Sequence, residues 1–265
     1  MSSKQMREHH RRALQAWVAE VSGLPHVRGG VLVGSLARGT ARADSDVDVY
    51  LVVSNDAFAE ALAAGEVAHV RRCEDIYPNG YVDVKLVCDD LLDRAAAEAD
   101  DPFRASLRGA QVLWDADGSL PGRIEQILDP DAVSWPDRVT GFLAQAWLHG
   151  GYFLPGALDR DDPFAAQWAN GHLCFAAARA LLASRQVLCA GPKYVTSTLM
   201  TLALPAGVLE AWRTACGHTS VANARHLLDV LSAELGALTV DERLSRFIID
   251  NELAWYRRRV PPEYT

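Results

Sequence analysis

The residues with the clearest chemical potential fall in one stretch, Gly34-Ser35-Leu36-Ala37-Arg38-Gly39-Thr40-Ala41-Arg42-Ala43-Asp44-Ser45-Asp46-Val47-Asp48. Alternate residues of a strand point to one face, so Asp46 and Asp48 project side by side while Val47 and Val49 turn to the core. Two carboxylates held this way repel each other unless a cation lies between them. Oxygen ligands of this kind suit Mg²⁺, which is held by one or two carboxylates plus substrate phosphates. Asp83 supplies a third acid in a run where Tyr81, Asp83 and Lys85 share a face. Should 81–88 pair beside 46–53, Asp83 falls roughly 5 Å from the Asp pair. Three acids on one sheet face can hold two metals for in-line phosphoryl or nucleotidyl transfer. Upstream, Gly34-Ser35 after an apolar run offers backbone N–H groups and a hydroxyl, a corner suited to phosphates.

Positioning these groups takes a small set of elements. A helix is expected over 4–22, with Leu14, Trp17, Val18 and Val21 at helical spacing. Val31-Leu32-Val33 and 46–53 read as strands, and 56–66 as a helix. Segments 69–77 and 81–88 read as a hairpin turned at Pro78-Asn79-Gly80. Asp89 caps a helix to about Ala99, and Ala110–Trp114 reads as a short strand before a turn at Asp115–Gly118. After about Asp129 helical periodicity takes over, cut by Pro136, Pro155-Gly156, Asp161–Pro163, Gly191-Pro192, Pro205 and Gly217 into five or six helices. The fold class expected is therefore α+β: a small mixed sheet over 1–130, followed by a helical bundle over 131–265.

Composition narrows the function. With 265 residues, 49% hydrophobic and 23% charged, the chain can bury a core in each of two domains, which excludes wholesale disorder. No apolar run is long enough for a membrane span. MSSKQMREHHRR does not read as a secretory signal. Cys73, Cys88, Cys174, Cys189 and Cys216 show neither disulfide nor zinc spacing, so a reducing cytoplasm is the expected setting. The net charge of −8 argues against nucleic acid as main partner and is compatible with a cationic small substrate.

Other readings of the motif fit less well. A Walker loop requires Gly-Lys-Ser/Thr, whereas Gly39 is followed by Thr40 and the phosphate lysine is missing. Phosphatases of haloacid type and metal-dependent glycosyltransferases place Asp-x-Asp at the end of an apolar strand, whereas here the strand starts at the motif. The stretch resembles the nucleotidyltransferase superfamily of DNA polymerase β type, with Gly-Ser, about ten residues, then Asp-x-Asp, matched at Gly34, Ser35, Asp46 and Asp48. Asp83 fits its third carboxylate, and Leu107–Gly118 is similar to its closing strand and turn. With a helical second half, the chain looks most like the aminoglycoside adenylyltransferases acting on streptomycin and spectinomycin.

This resemblance implies ATP bound with its triphosphate on Gly34 and Ser35, and two Mg²⁺ on Asp46, Asp48 and Asp83. It implies attack of a substrate hydroxyl on the α-phosphorus with release of pyrophosphate, in a cleft between the two domains. The acceptor would be a small hydroxylated molecule. In the streptomycin-modifying relatives the third acid is a glutamate that also acts as general base; Asp83 is one methylene shorter, which leaves the base role open. An AMPylator of proteins, of antitoxin type, and a catalytically silent nucleotide-binding module are the alternatives. Monomer and homodimer both remain open.

Around the motif, Ser45 can touch a phosphate or metal-bound water, and Arg38 and Arg42 can reach a triphosphate. Gly191-Pro192-Lys193-Tyr194 places Lys193 near a helix start, where it opposes the helix dipole and gains only from an anion such as the triphosphate. Asp159, Asp161 and Asp162 form an acidic loop that serves either as a cation site or as an ordinary helix cap. His149, His172 and the tryptophans of the second half read as packing. Arg213-x4-His218 superficially matches a ribonuclease pattern, but Gly217 places it at a helix end. Arg257-Arg258-Arg259 reads as helix-end charge.

Overall fold

Alternation in the second strand divides the first half of the molecule into two layers. The computed structural model describes residues 6–256 and 259. It divides into two compact units, residues 1–132 and 133–265. The first contains α1 (Glu8–Val21), β1 (Val27–Leu32), α2 (Gly34–Ala37), β2 (Val47–Val53), α3 (Asn55–Ala64), β3 (Ala68–Arg72), β4 (Tyr81–Cys88), α4 (Asp89–Glu98), α5 (Asp101–Ser106), β5 (Gln111–Asp115) and α6 (Leu120–Leu128). The five strands form one sheet in the order β3-β4-β2-β1-β5. Only β2 and β4 are parallel; every other neighbouring pair is antiparallel, so the sheet is mixed.

Val47, Val49, Leu51 and Val53 pack with Ala13, Leu14 and Trp17 of α1 in one buried cluster. Tyr50 and Val52, on the other face, pack with Leu92 of α4 and Leu120 and Ile127 of α6. The face that carries Asp48 is therefore covered farther along β2 by helices, and apolar burial on both sides fixes the register. Arg104 anchors this second layer. It is 2% exposed and donates to the carbonyls of Ala96, Ala99 and Ile127 at 2.8, 3.0 and 2.6 Å, which ties the C-terminal ends of α4 and α6 together.

Several boundaries differ from the sequence reading. β1 starts at Val27, not Val31, and Val33 leaves it to begin α2. The hairpin strand expected over 69–77 ends at Arg72. Residues 73–80 close a turn instead, with Cys73 N–H on the Gly80 carbonyl at 2.8 Å and the Tyr77 ring folded into the core. α5 and α6 were not anticipated. α5 is started by Asp100, whose side chain accepts from Phe103 N–H at 3.0 Å, and by Pro102 in its first turn.

The second unit is helical among the described residues: α7 (Trp135–Leu148), α8 (Leu154–Asp159), α9 (Pro163–Ser184), α10 (Val195–Leu199), α11 (Ala206–Gly217), α12 (Val221–Leu235) and α13 (Val240–Phe247). A π-turn, His149–Phe153, joins α7 to α8, and a second, Ile248–Glu252, follows α13. α9 is the central element, packed against α7, α8, α11 and α12. Its alanines let neighbours approach closely, and Asp162 caps it by accepting from Ala165 N–H at 3.0 Å. The acidic loop thus contributes a helix cap. Trp135 and Trp212 are buried, whereas Trp255 is exposed. His149 is fully buried and stacks on His172 with ring centroids 4.7 Å apart. Arg213 lies on α11, and His218 follows the helix as its C-cap. Arg257 and Arg258 lie outside the described residues.

Candidate active site

The parallel pairing of β2 with β4 sets Asp48 opposite Asp83. Val47 is opposite Val82, so Asp46 and Tyr81 share the same offset one residue earlier. The Asp46 carboxylate beside the Tyr81 hydroxyl pushes the phenol up to about 12. Asp46 itself sits just before the first strand residue, Val47. Asp83 accepts from Lys85 Nζ at 2.8 Å on Oδ2.

Gly34 completes this group from β1. The Val33 N–H donates to the Asp48 carbonyl at 3.0 Å, which brings the end of β1 beside Asp48. Gly34 has φ +70, and a β-carbon there would stand 1.9 Å from Asp48 Oδ2. Only glycine combines this backbone with this approach. Ser35 is in the first turn of α2, and its carbonyl accepts from Thr40 N–H at 2.9 Å, closing the loop that returns toward Asp46.

Electrostatics mark Asp48 as the strained member. Burial, then the charges of Asp46 and Asp83, push its carboxyl up to about 6, against the pull of Lys85 and Arg38. Crowded, partly buried carboxylates of this sort are the donor set that a hard divalent cation relieves. The oxygen chemistry and the glycine-lined approach fit Mg²⁺. Among the described residues, however, no group of three or more His, Cys, Asp or Glu side chains is drawn close enough to form a complete cation site.

The loop residues are placed less directly. The Ser45 hydroxyl accepts from Arg42 N–H at 2.9 Å, and the Arg42 guanidinium pairs with Asp44 at 3.0 Å in solvent. Lys193 is exposed in a 3-10 turn, Pro192–Tyr194, of the second unit, with Nζ 5.3 Å from the centroid of the Tyr194 ring.

Sequence reasoning missed the residues that hold the approach to Asp46. The Ser45 carbonyl bonds to His10 Nε2 at 3.0 Å and accepts from the Tyr77 hydroxyl at 3.2 Å. His9 Nε2 reaches the Ala43 carbonyl at 3.0 Å and lies 3.2 Å from His10 Nε2. Burial holds His10 below the usual imidazole range. The adjacent histidines were visible in the sequence, but nothing local connected them to a carbonyl 35 residues away. The ≈ 550 Å³ groove between α3 and α4, lined by Phe58, Leu62, Leu91 and Phe103, includes none of the predicted site residues.

A five-stranded mixed sheet that presents Gly-Ser beside paired carboxylates defines a nucleotidyltransferase-like fold. Residues 17–97 match the nucleotidyltransferase domain family. That span contains Gly34, Ser35, Asp46, Asp48 and Asp83, and the domain match supports a nucleotidyltransferase. Among solved structures, a nucleotidyltransferase-like protein from Exiguobacterium sibiricum 255-15 is similar at 15% identity, with 91% of this chain and 79% of that chain covered and a TM-score of 0.44. No curated protein matches. Among the described residues, no helix is long and apolar enough to cross a membrane.

Proposed function

We propose that this enzyme transfers AMP from ATP to a hydroxyl of a small molecule and releases pyrophosphate, with an aminoglycoside-like, cationic antibiotic as acceptor. The observation that supports this reading is the register Asp48↔Asp83 with Gly34 set against Asp48. In this reading Gly34 and Ser35 receive the triphosphate through backbone N–H groups and the Ser35 hydroxyl. Ser45 and Arg42 add contacts to the nucleotide. Asp46, Asp48 and Asp83 would hold two Mg²⁺, which when bound neutralise phosphate charge and align the attacking and leaving oxygens.

The bond made is from the acceptor oxygen to the α-phosphorus; the bond broken is from that phosphorus to the bridging oxygen of pyrophosphate. Asp83, with Lys85 on Oδ2, is the carboxylate offered to the acceptor hydroxyl. Tyr81, whose hydroxyl is beside Asp46, orients that carboxylate. The net charge of −8 favours a cationic acceptor over a nucleic acid.

The test is pyrophosphate release with Mg²⁺ and each NTP against aminoglycosides, lincosamides and candidate proteins, with Asp48→Asn as control. Release that requires ATP and one aminoglycoside, and that disappears in the variant, supports the proposal. Release dependent on a protein acceptor, or unchanged in Asp48→Asn, overturns it.

A further inference from the structure

Cys174 and Cys216 come together in the second unit, far apart in sequence and outside the carboxylate site. Cys174 is buried on α9; Cys216 is exposed at the last turn of α11. Two hydrogen bonds hold these helices in register beside the pair. Asn170 Nδ2 donates to the Ala215 carbonyl at 3.0 Å, and Trp212 Nε1 donates to the Cys174 carbonyl at 2.8 Å. Residue 170 thus meets 215 while 174 meets 212, an antiparallel crossing in which each thiol lies within one turn of a clamp. The neighbouring Cys174 holds the Cys216 thiol below its usual range, and Cys216 together with burial pushes Cys174 up. Both sulfur-bearing residues line a cavity of about 490 Å³ with Phe175, Val195, Trp212 and Arg213. The cavity gives a small reagent room beside the pair.

We propose that Cys174 and Cys216 are a redox-modifiable dithiol that closes to a disulfide between α9 and α11 when it meets hydrogen peroxide. The exposed Cys216 attacks first, as a thiolate. Its sulfur bonds to one peroxide oxygen, the O–O bond breaks, and the other oxygen leaves as water, giving a sulfenic acid. Cys174 then gives up its proton and attacks the Cys216 sulfur. The S–O bond breaks and a second water leaves. Two thiols lose two electrons and one peroxide gains them: two thiols and one H₂O₂ give one disulfide and two waters. An exposed thiol with a second cysteine on the wall of the same cavity has a resolving partner nearby, the arrangement of redox-sensor cysteines. Closure brings the two sulfurs to about 2.05 Å. Cys73, Cys88 and Cys189 are buried.

The experiment treats the full chain with stoichiometric hydrogen peroxide under native conditions, then measures intact mass, denatured thiol count and tryptic peptides. The expected product is about 2 Da lighter, as loss of two hydrogens requires. It has two fewer of the five thiols. It links the peptides 161–179 and 214–225, and dithiothreitol restores it. Cys174→Ala leaves a Cys216 that overoxidises or forms dimers, and Cys216→Ser loses the reaction with peroxide. Wild-type protein whose thiols survive, whose Cys216 gains two oxygens without a cross-link, or whose link joins another pair overturns the proposal. The wild-type map decides this even if a variant fails to fold.

Discussion

Gly34 lies against Asp48 so closely that a β-carbon at position 34 would stand 1.9 Å from the Asp48 Oδ2 atom. The contact joins the end of β1 to the carboxylate of β2, and the Val33 N–H to Asp48 carbonyl bond locks the backbones on either side. Gly34→Ala therefore displaces Asp48 and also meets left-handed strain of about 1–2 kcal/mol. A displacement near 1 Å costs roughly 100-fold in rate. Pyrophosphate release by this variant falls by at least that factor while circular dichroism stays unchanged.

Asp48→Asn and Asp83→Asn remove one member of a mutually repelling set. Each lowers pyrophosphate release by at least about 100-fold, the usual scale for losing one group that stabilises developing charge. Neither lowers the melting temperature of the metal-free protein, since the crowding that raises the Asp48 carboxyl is relieved. A thermal shift with and without Mg²⁺ checks both points: magnesium raises the melting temperature of wild-type protein and loses that effect in Asp48→Asn.

Tyr77→Phe removes one of the two hydrogen bonds on the Ser45 carbonyl. The stability cost is about 1 kcal/mol. Because the carbonyl directly precedes Asp46, kcat falls about tenfold, a larger loss than the stability change would suggest. KM for the nucleotide and urea unfolding, measured on the same preparation, separate misplacement of Asp46 from general loosening.

Arg104→Met leaves the carbonyls of Ala96, Ala99 and Ile127 without their guanidinium partner. A buried acceptor without a partner costs about 1–3 kcal/mol, so the first unit loses roughly 2–4 kcal/mol in urea unfolding. Lysine, with a point charge in place of a planar fork, does not restore it.

His149 gives the second unit an acid limit. Burial, then the charge of His172, pushes its imidazole down to about 3, so the folded chain keeps it neutral. The unfolded imidazole takes a proton near pH 6.5. Stability from this group is complete above pH 6.5 and is lost as pH falls from there toward 3, by up to about 1.4 kcal/mol per pH unit. Urea unfolding at pH 7, 6 and 5 shows this slope, and His149→Leu flattens it.

Much of the candidate site's local geometry was legible because its signal is local. Gly34, Ser35, Asp46, Asp48 and the face shared by Tyr81, Asp83 and Lys85 follow from spacing along single segments. α5 was missed because only six residues and one cap define it, too few for periodicity to register. The strand expected over 69–77 was cut short because Tyr77 turns inward and joins the core cluster, a tertiary preference that outweighs strand propensity. His10 and Tyr77 escaped notice because a carbonyl has no sequence signature.

Sequence by itself determined which groups exist and how they repeat: acids on alternate residues, a glycine before a serine, an apolar stripe on each element. Those are properties of backbone period, set within a few residues. Tertiary structure alone decided that β2 and β4 run parallel, and so that Asp83 faces Asp48 and Tyr81 reaches Asp46. It alone decided that Cys174 and Cys216, on two helices, line one cavity. The physical reason is that register between distant segments is chosen by burial of both sheet faces and of a whole helix bundle, a sum over the fold that no single segment contains.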